Sequence, residues 1–218
     1  MALLDHILDL LFPPKCSFCG ALLERTSQDP CPKCPPDLWL EGPQAVISGT
    51  SFARCACAAW YTGVLREEVK RFKFQNRPGH AKAYGPMLAK TIRFYLPGAY
   101  DLITWVPVSP KTLKTRGYDQ ARLLAEAAAK ALGEQALPLL EKRKNNRPQS
   151  SLEGASQRWK NVKGVYAVPD PTLLAGKRVL VIDDILTTGA TLEEAARTLR
   201  QAGAAQVVAA AFCKTPNE

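Results

Sequence analysis

The chain has 218 residues, of which 46% are hydrophobic and 22% charged, with 14 glycines and 17 prolines. That composition excludes a disordered or collagen-like polymer and supplies enough apolar side chains for a buried core, in one large domain or an ordinary domain with a small appendage. The formal charge is +9, and residues 106–163 hold twelve Lys or Arg against five Asp or Glu, so this middle segment points to an anionic partner, a polyphosphate substrate or nucleic acid, unless it is a solvated basic face.

The opening MALLDHILDLLF is interrupted by Asp5, His6 and Asp9. It lacks a basic flank and is too short to cross a bilayer, so neither export nor a membrane span is expected and the chain is read as cytoplasmic. The spacing of Leu3, Leu4, Ile7, Leu8 and Leu11 suits a short amphipathic helix packed on the body of the protein.

Six of the seven cysteines lie before residue 60, and in a reducing compartment grouped cysteines bind metal more often than they form disulfides. Cys16-x2-Cys19 and Cys31-x2-Cys34, eleven residues apart, have the spacing of two knuckles that each present two thiolates to one tetrahedral zinc; the alternative is four free thiols. Cys55 and Cys57 would share one face of a strand, structural or a remote second ligand pair, and Cys213 reads as core. Composition divides the chain into an amino-terminal helix and four-cysteine zinc-ribbon region, residues 1–60, and an α/β domain, residues 61–218.

Within the second part, residues 62–74 and 80–94 read as helices around the turn Asn76-Arg77-Pro78-Gly79. Residues 102–108 read as a strand leading through a basic loop into a helix at 119–132, stopped by Gly133. Two further strands, 137–143 and 162–168, are joined by a long polar loop of the kind that is usually functional. Last come an apolar strand at 179–182, a polar turn at 183–191, a helix at 192–202 and a strand at 206–212, which together make a parallel βαβ unit.

VLVIDDILTTGAT, residues 179–191, places two acids at a strand end and five small or hydroxylic residues before a helix. Backbone N–H groups and hydroxyls of Thr187, Thr188, Gly189, Ala190 and Thr191 can close around a phosphate, with Gly189 removing bulk and the helix dipole adding a favourable field. Asp183 and Asp184 can accept hydrogen bonds from adjacent ribose hydroxyls or hold a hydrated Mg2+. The plainer reading is a capped helix after a surface turn. Neither GxxxxGK[ST] nor GxGxxG occurs.

These thirteen residues resemble the phosphoribosyl pyrophosphate signature of type I phosphoribosyltransferases. That resemblance implies a parallel sheet flanked by helices, with Asp183 and Asp184 on the ribose 2- and 3-hydroxyls and residues 187–191 on the 5-phosphate. The order LFPPKCSFCG, CPKC, Arg71-Phe72-Lys73-Phe74, VPVSPKTLKTRGYDQA and RPQSSLEGASQRWKNVKGVY is similar, across almost the whole chain, to the ComF family. Where that family has RGxNQ, this chain has Asp119. The family resemblance implies a cytoplasmic protein that handles single-stranded DNA during natural transformation, with a structural zinc, Mg2+ bound with phosphoribosyl pyrophosphate, and a helicase-like ATPase and a DNA-processing protein as partners. It fixes no acceptor.

Phosphoribosyl transfer makes the ribose oxocarbenium-like while cations hold the departing pyrophosphate. Val106, Pro107 and Val108, followed by Lys111, Lys114 and Arg116, stand where the resembled fold keeps its pyrophosphate loop. Arg116 is the leading catalytic candidate beside Asp183 and Asp184, against a surface pairing with Asp119. Arg147, Gln149, Arg158 and Asn161 are candidate contacts of a hood over the substrate, and Trp159 is either a base-stacking surface or a core anchor. Three functions stay open: a phosphoribosyltransferase-like protein of DNA uptake, a non-catalytic nucleotide- and single-strand-binding adaptor, and a salvage or purine-type transferase.

Overall fold

The computed structural model describes residues 13–23, 30–144 and 161–216. The expected amino-terminal helix, His6, and Arg147, Gln149, Arg158 and Trp159 lie outside the described residues. Strands β1 (Val46–Ile47), β2 (Cys55–Trp60), β3 (Leu102–Trp105), β6 (Arg178–Leu186) and β7 (Gln206–Lys214) form one sheet in the order β1-β2-β7-β6-β3. The pairs β2/β7, β7/β6 and β6/β3 are parallel, and β1 joins β2 antiparallel. A separate antiparallel pair joins β4 (Glu141–Lys142) to β5 (Tyr166–Ala167).

Among the described residues five α-helices connect these strands: α1 (Gly63–Phe74), α2 (Ala81–Tyr95), α3 (Pro110–Arg116), α4 (Gln120–Leu132) and α5 (Ala190–Gln201). The expected turn between α1 and α2 forms, with Asn76 at φ 51°, a left-handed conformation that asparagine tolerates better than most residues. The segment read as a basic loop after β3 is instead helix α3. Ser109 caps it by accepting the Thr112 N–H at 3.2 Å, and Pro110 supplies a preset first φ. The four strands expected at 102–108, 137–143, 162–168 and 179–182 also change length. The first three shorten, while β6 runs four residues beyond Ile182, through both acids to Leu186.

Alternate side chains of β6 enter two cores. Leu180 and Ile182 face a layer built from α1, α2 and α4, with Leu65, Phe72, Tyr84, Leu88 and Leu124. Val179 and Val181 face α5 and the β4/β5 region, with Leu192, Leu199, Val165 and Tyr166. No helix among the described residues is long and apolar enough to cross a membrane.

Helices α2 and α4 meet at Gly85. A Cβ there would stand 2.4 Å from the Ala127 Cβ and 2.7 Å from its backbone carbonyl carbon, so the approach depends on glycine. Gly85→Ala is expected to lower unfolding free energy by about 1 to 3 kcal/mol, the usual cost of overpacking. Denaturant titration should show an earlier midpoint at unchanged slope. An unmoved midpoint would show that the two helices separate without cost.

Candidate functional site

Because β2, β7, β6 and β3 are parallel, their carboxyl ends share one edge, where an open α/β sheet places its ligands. Both acids reach this edge, but strand alternation sends them to opposite faces. Asp183 follows Val179 and Val181 and lines a small, open cleft with Thr187, Gly189 and Thr191. Asp184 follows Leu180 and Ile182 toward α1, where the Lys73 ammonium lies 3.1 Å from each carboxylate oxygen. Burial, then the adjacent Asp184 carboxylate, push Asp183 up to about 8. Its Oδ1 accepts the Asp184 N–H at 2.8 Å.

The turn after β6 departs from expectation in one respect. A Cβ on Gly189 would meet only Leu186, at an ordinary 3.9 Å, so spare room is not what the position demands. It demands φ 79°, a left-handed value that opens helix α5 without a side-chain cap, at a helix amino terminus whose dipole favours an anion. Thr188 Oγ1 is buried with no hydrogen-bond partner among the described residues. A hydroxyl left so is costly in the absence of a ligand, and it suits a phosphate oxygen as acceptor.

Val106, Pro107 and Val108 directly follow β3, beside β6, and the Val106 N–H donates to the Ile182 carbonyl at 2.9 Å. Their shape is set by Asp119. One of its carboxylate oxygens accepts the Val108 N–H at 3.0 Å, and the other caps α4 by accepting the Arg122 N–H at 3.1 Å. The side chain thus works here as a double acceptor, which accounts for an acid in place of the Asn of RGxNQ. Burial raises its pKa.

Arg116 closes α3 and is not paired to Asp119. It donates to the Gln120 side-chain oxygen and stacks over the Phe74 ring, 5.1 Å from its centroid. Phe74 itself is 60% exposed. Of the hood candidates, Asn161 lies among the described residues and carries interactions of its own. On the Asp183 face stands Lys142, whose ammonium burial disfavours against the pull of Asp183 and Asp119. Lys73 stands in the Arg71-Phe72-Lys73-Phe74 segment, which by itself assigns it no role, and Lys142 has no motif around it. Lys73 lies 111 residues from the acid it touches, and only the fold brings them together.

The four amino-terminal thiols converge. Cys16 and Cys34 sulfurs are 3.5 Å apart, Cys19 and Cys31 also 3.5 Å, and all four lie within 4.8 Å of one another. A tetrahedron with metal–sulfur bonds of about 2.3 Å has edges of about 3.8 Å, so the donor set fits such an ion. Burial and the neighbouring Cys16 and Cys19 sulfurs raise the Cys34 thiol, a crowding that a cation relieves. Cys55 and Cys57 point into one core with sulfurs 4.0 Å apart, and Cys213 lies in the other. His80 stacks on Phe72 and sits 3.3 Å from the Tyr84 hydroxyl.

Residues 119–218 match the phosphoribosyl transferase domain. Over 202 residues the chain is 29% identical to competence protein ComFC of Streptococcus pneumoniae, covering 88% of this chain and 84% of that protein. It is 27% identical to the DNA utilization protein YhgH of Escherichia coli over 217 residues, 92% of this chain and 90% of that one. Among solved structures, the glutamine phosphoribosylpyrophosphate amidotransferase from B. subtilis complexed with ADP and GMP aligns at 20% identity and a TM-score of 0.43, over 65% of this chain and 30% of the enzyme. Over most of its length the chain is thus similar to the ComFC and YhgH proteins, and its carboxyl-terminal part, residues 119–218, matches the phosphoribosyl transferase domain.

Proposed function

We propose that the chain binds phosphoribosyl pyrophosphate with Mg2+ at the carboxyl edge of its sheet and serves DNA uptake, on a fold tied down by one zinc at Cys16, Cys19, Cys31 and Cys34. The observation that carries this reading is the cleft shared by Asp183 and the Gly189 turn within the matched domain. The N–H groups opening α5 and the Thr188 hydroxyl grip the 5-phosphate, while Asp183, and Asp184 on the other face of the strand, take the ribose hydroxyls. Asp183 and Asp184 are also the residues that would hold Mg2+, which supplies charge neutralisation of the pyrophosphate when bound. Val106, Pro107 and Val108 border the pyrophosphate, and Arg116 is the cation assigned to it. Calorimetric titration with phosphoribosyl pyrophosphate in Mg2+ tests the reading, and absence of binding heat at any attainable concentration would sink it. Release of pyrophosphate with candidate acceptors present distinguishes a transferase from an adaptor.

The Phe74 and Arg116 pair favours the adaptor as a second role. An exposed ring under a guanidinium, with Lys111 and Lys114 on the short helix that carries the guanidinium, combines a stacking surface with backbone-neutralising charge, as single-strand binders do. Single-stranded DNA should therefore bind with an affinity that falls steeply with salt, and Phe74→Ala should cost about 1 to 3 kcal/mol of it. Fluorescence anisotropy at several salt concentrations measures both. A salt-independent affinity, or an unchanged Phe74→Ala variant, would remove this surface from DNA recognition.

A further inference from the structure

We propose that Lys73 is a displaceable counter-ion, which neutralises Asp184 in the ligand-free protein and passes to pyrophosphate oxygens when a divalent cation takes over that carboxylate. The inference rests on the ligand reading above and assigns that site a residue from α1, outside the matched domain.

Asp184 is 4% exposed, and a carboxylate withdrawn from water near the carboxyl end of a buried strand calls for a compensating cation. The Lys73 ammonium at 3.1 Å supplies one, yet its side chain keeps 20% exposure, so the pair is not sealed from solvent. The anchoring of α1 does not need the pair: Leu65, Val69 and Phe72 fix the helix in the core and are essentially fully buried. A buried ion pair with apolar packing already secured beside it adds little stability, because desolvation offsets most of the attraction.

The surrounding charge also calls for an exchange. Asp119, Asp183 and Asp184 all act on one another electrostatically, with Lys73 and Lys142 as the lysines on their two faces. Three acids facing two lysines leave room for a cation, and a divalent ion delivers more charge to Asp184 than an ammonium can. Once released, a flexible lysine stem carrying a point charge is suited to following a polyphosphate.

The test uses the full chain as wild type, Lys73→Met and Lys73→Gln, with Mn2+ alone as a paramagnetic probe and, separately, pyrophosphate alone in divalent-free buffer. Asp184→Asn in the Lys73→Met background identifies the Mn2+ bound at this carboxylate. Removing one unit charge at contact distance should tighten Mn2+ binding at least about tenfold and weaken pyrophosphate binding by a similar factor. Lys73→Gln repeats the neutralisation with a polar head, so the comparison survives if the Met variant does not fold. Mn2+ affinity that stays constant or falls in the neutral variants overturns the proposal, as does unchanged pyrophosphate affinity. Wild-type protein that fails to bind phosphoribosyl pyrophosphate would count against the ligand reading alone, because the opposed Mn2+ and pyrophosphate shifts are measured without that ligand.

Discussion

Exchanging both acids, Asp183→Asn with Asp184→Asn, is expected to weaken phosphoribosyl pyrophosphate binding by at least about a hundredfold and to leave the fold standing. Each charge-assisted hydrogen bond removed costs about 1.5 to 3 kcal/mol, and two such losses multiply in the binding constant. The fold survives because the amides keep what the structure itself uses. An asparagine at 183 retains an oxygen to accept the backbone N–H of residue 184, now held by Asp183 Oδ1 at 2.8 Å. Removal of the Asp184 charge strands Lys73, but that side chain already reaches solvent and can turn outward. Relief of two buried, mutually repelling carboxylates works in the same direction. Calorimetry for affinity and denaturant titration for stability are read together. Unchanged affinity would reduce the whole constellation to a capped turn, and collapse of the fold would show that the acids serve the sheet.

The sequence made the site legible where chemistry is local and left it obscure where chemistry is assembled. Helices with strong apolar periodicity and clear ends came through: α4 runs between an Asp119 cap and a left-handed Gly133, and α1 and α2 flank the expected turn. β2 did not. Its residues, Cys55 to Trp60 as CACAAW, are small and nearly uniform because helices cover both faces of the sheet, so neither alternation nor bulky β-branched side chains mark it. The acids misled in the opposite sense. Two adjacent aspartates resemble a surface turn, yet β6 continues through them because β7 pairs alongside as far as Leu186 and Lys73 compensates one charge. Sequence alone suggests a spatial reason for Gly189, whereas the fold requires it for a dihedral one. Lys73 lies in a segment that the family resemblance picks out and Lys142 in none, but the acids they face are set by topology, and such proximity leaves no trace in spacing.

Loss of the metal proposed for the four amino-terminal thiols is the other large effect expected, and the packing explains why it should be felt beyond the ribbon. Phe18, between the two cysteines of the first knuckle, is fully buried against Trp39, Tyr84 and Phe212. The Tyr84 hydroxyl in turn donates to the Ser17 carbonyl at 2.6 Å. Gly20 closes that knuckle at φ 71°, and a Cβ there would meet the Glu68 carboxylate at 2.7 Å, so the knuckle lies directly on α1. The same helix carries Lys73 to Asp184 five residues later. One zinc per chain is therefore expected on metal analysis, and Cys31→Ser should lose it. Because a structural zinc contributes folding free energy and Phe18 goes with the knuckle, stability should fall by at least about 3 kcal/mol, the scale of losing a buried Phe from a core. Phosphoribosyl pyrophosphate affinity should weaken as well, since α1 loses the surface that seats it. Denaturant titration and calorimetry on wild type and Cys31→Ser measure the two effects. A folded wild-type preparation without zinc, or a Cys31→Ser variant of unchanged stability, would show that the four thiols are ordinary core cysteines. Lower stability with intact ligand affinity would show instead that the ribbon is held apart from the site and that α1 carries no signal between them.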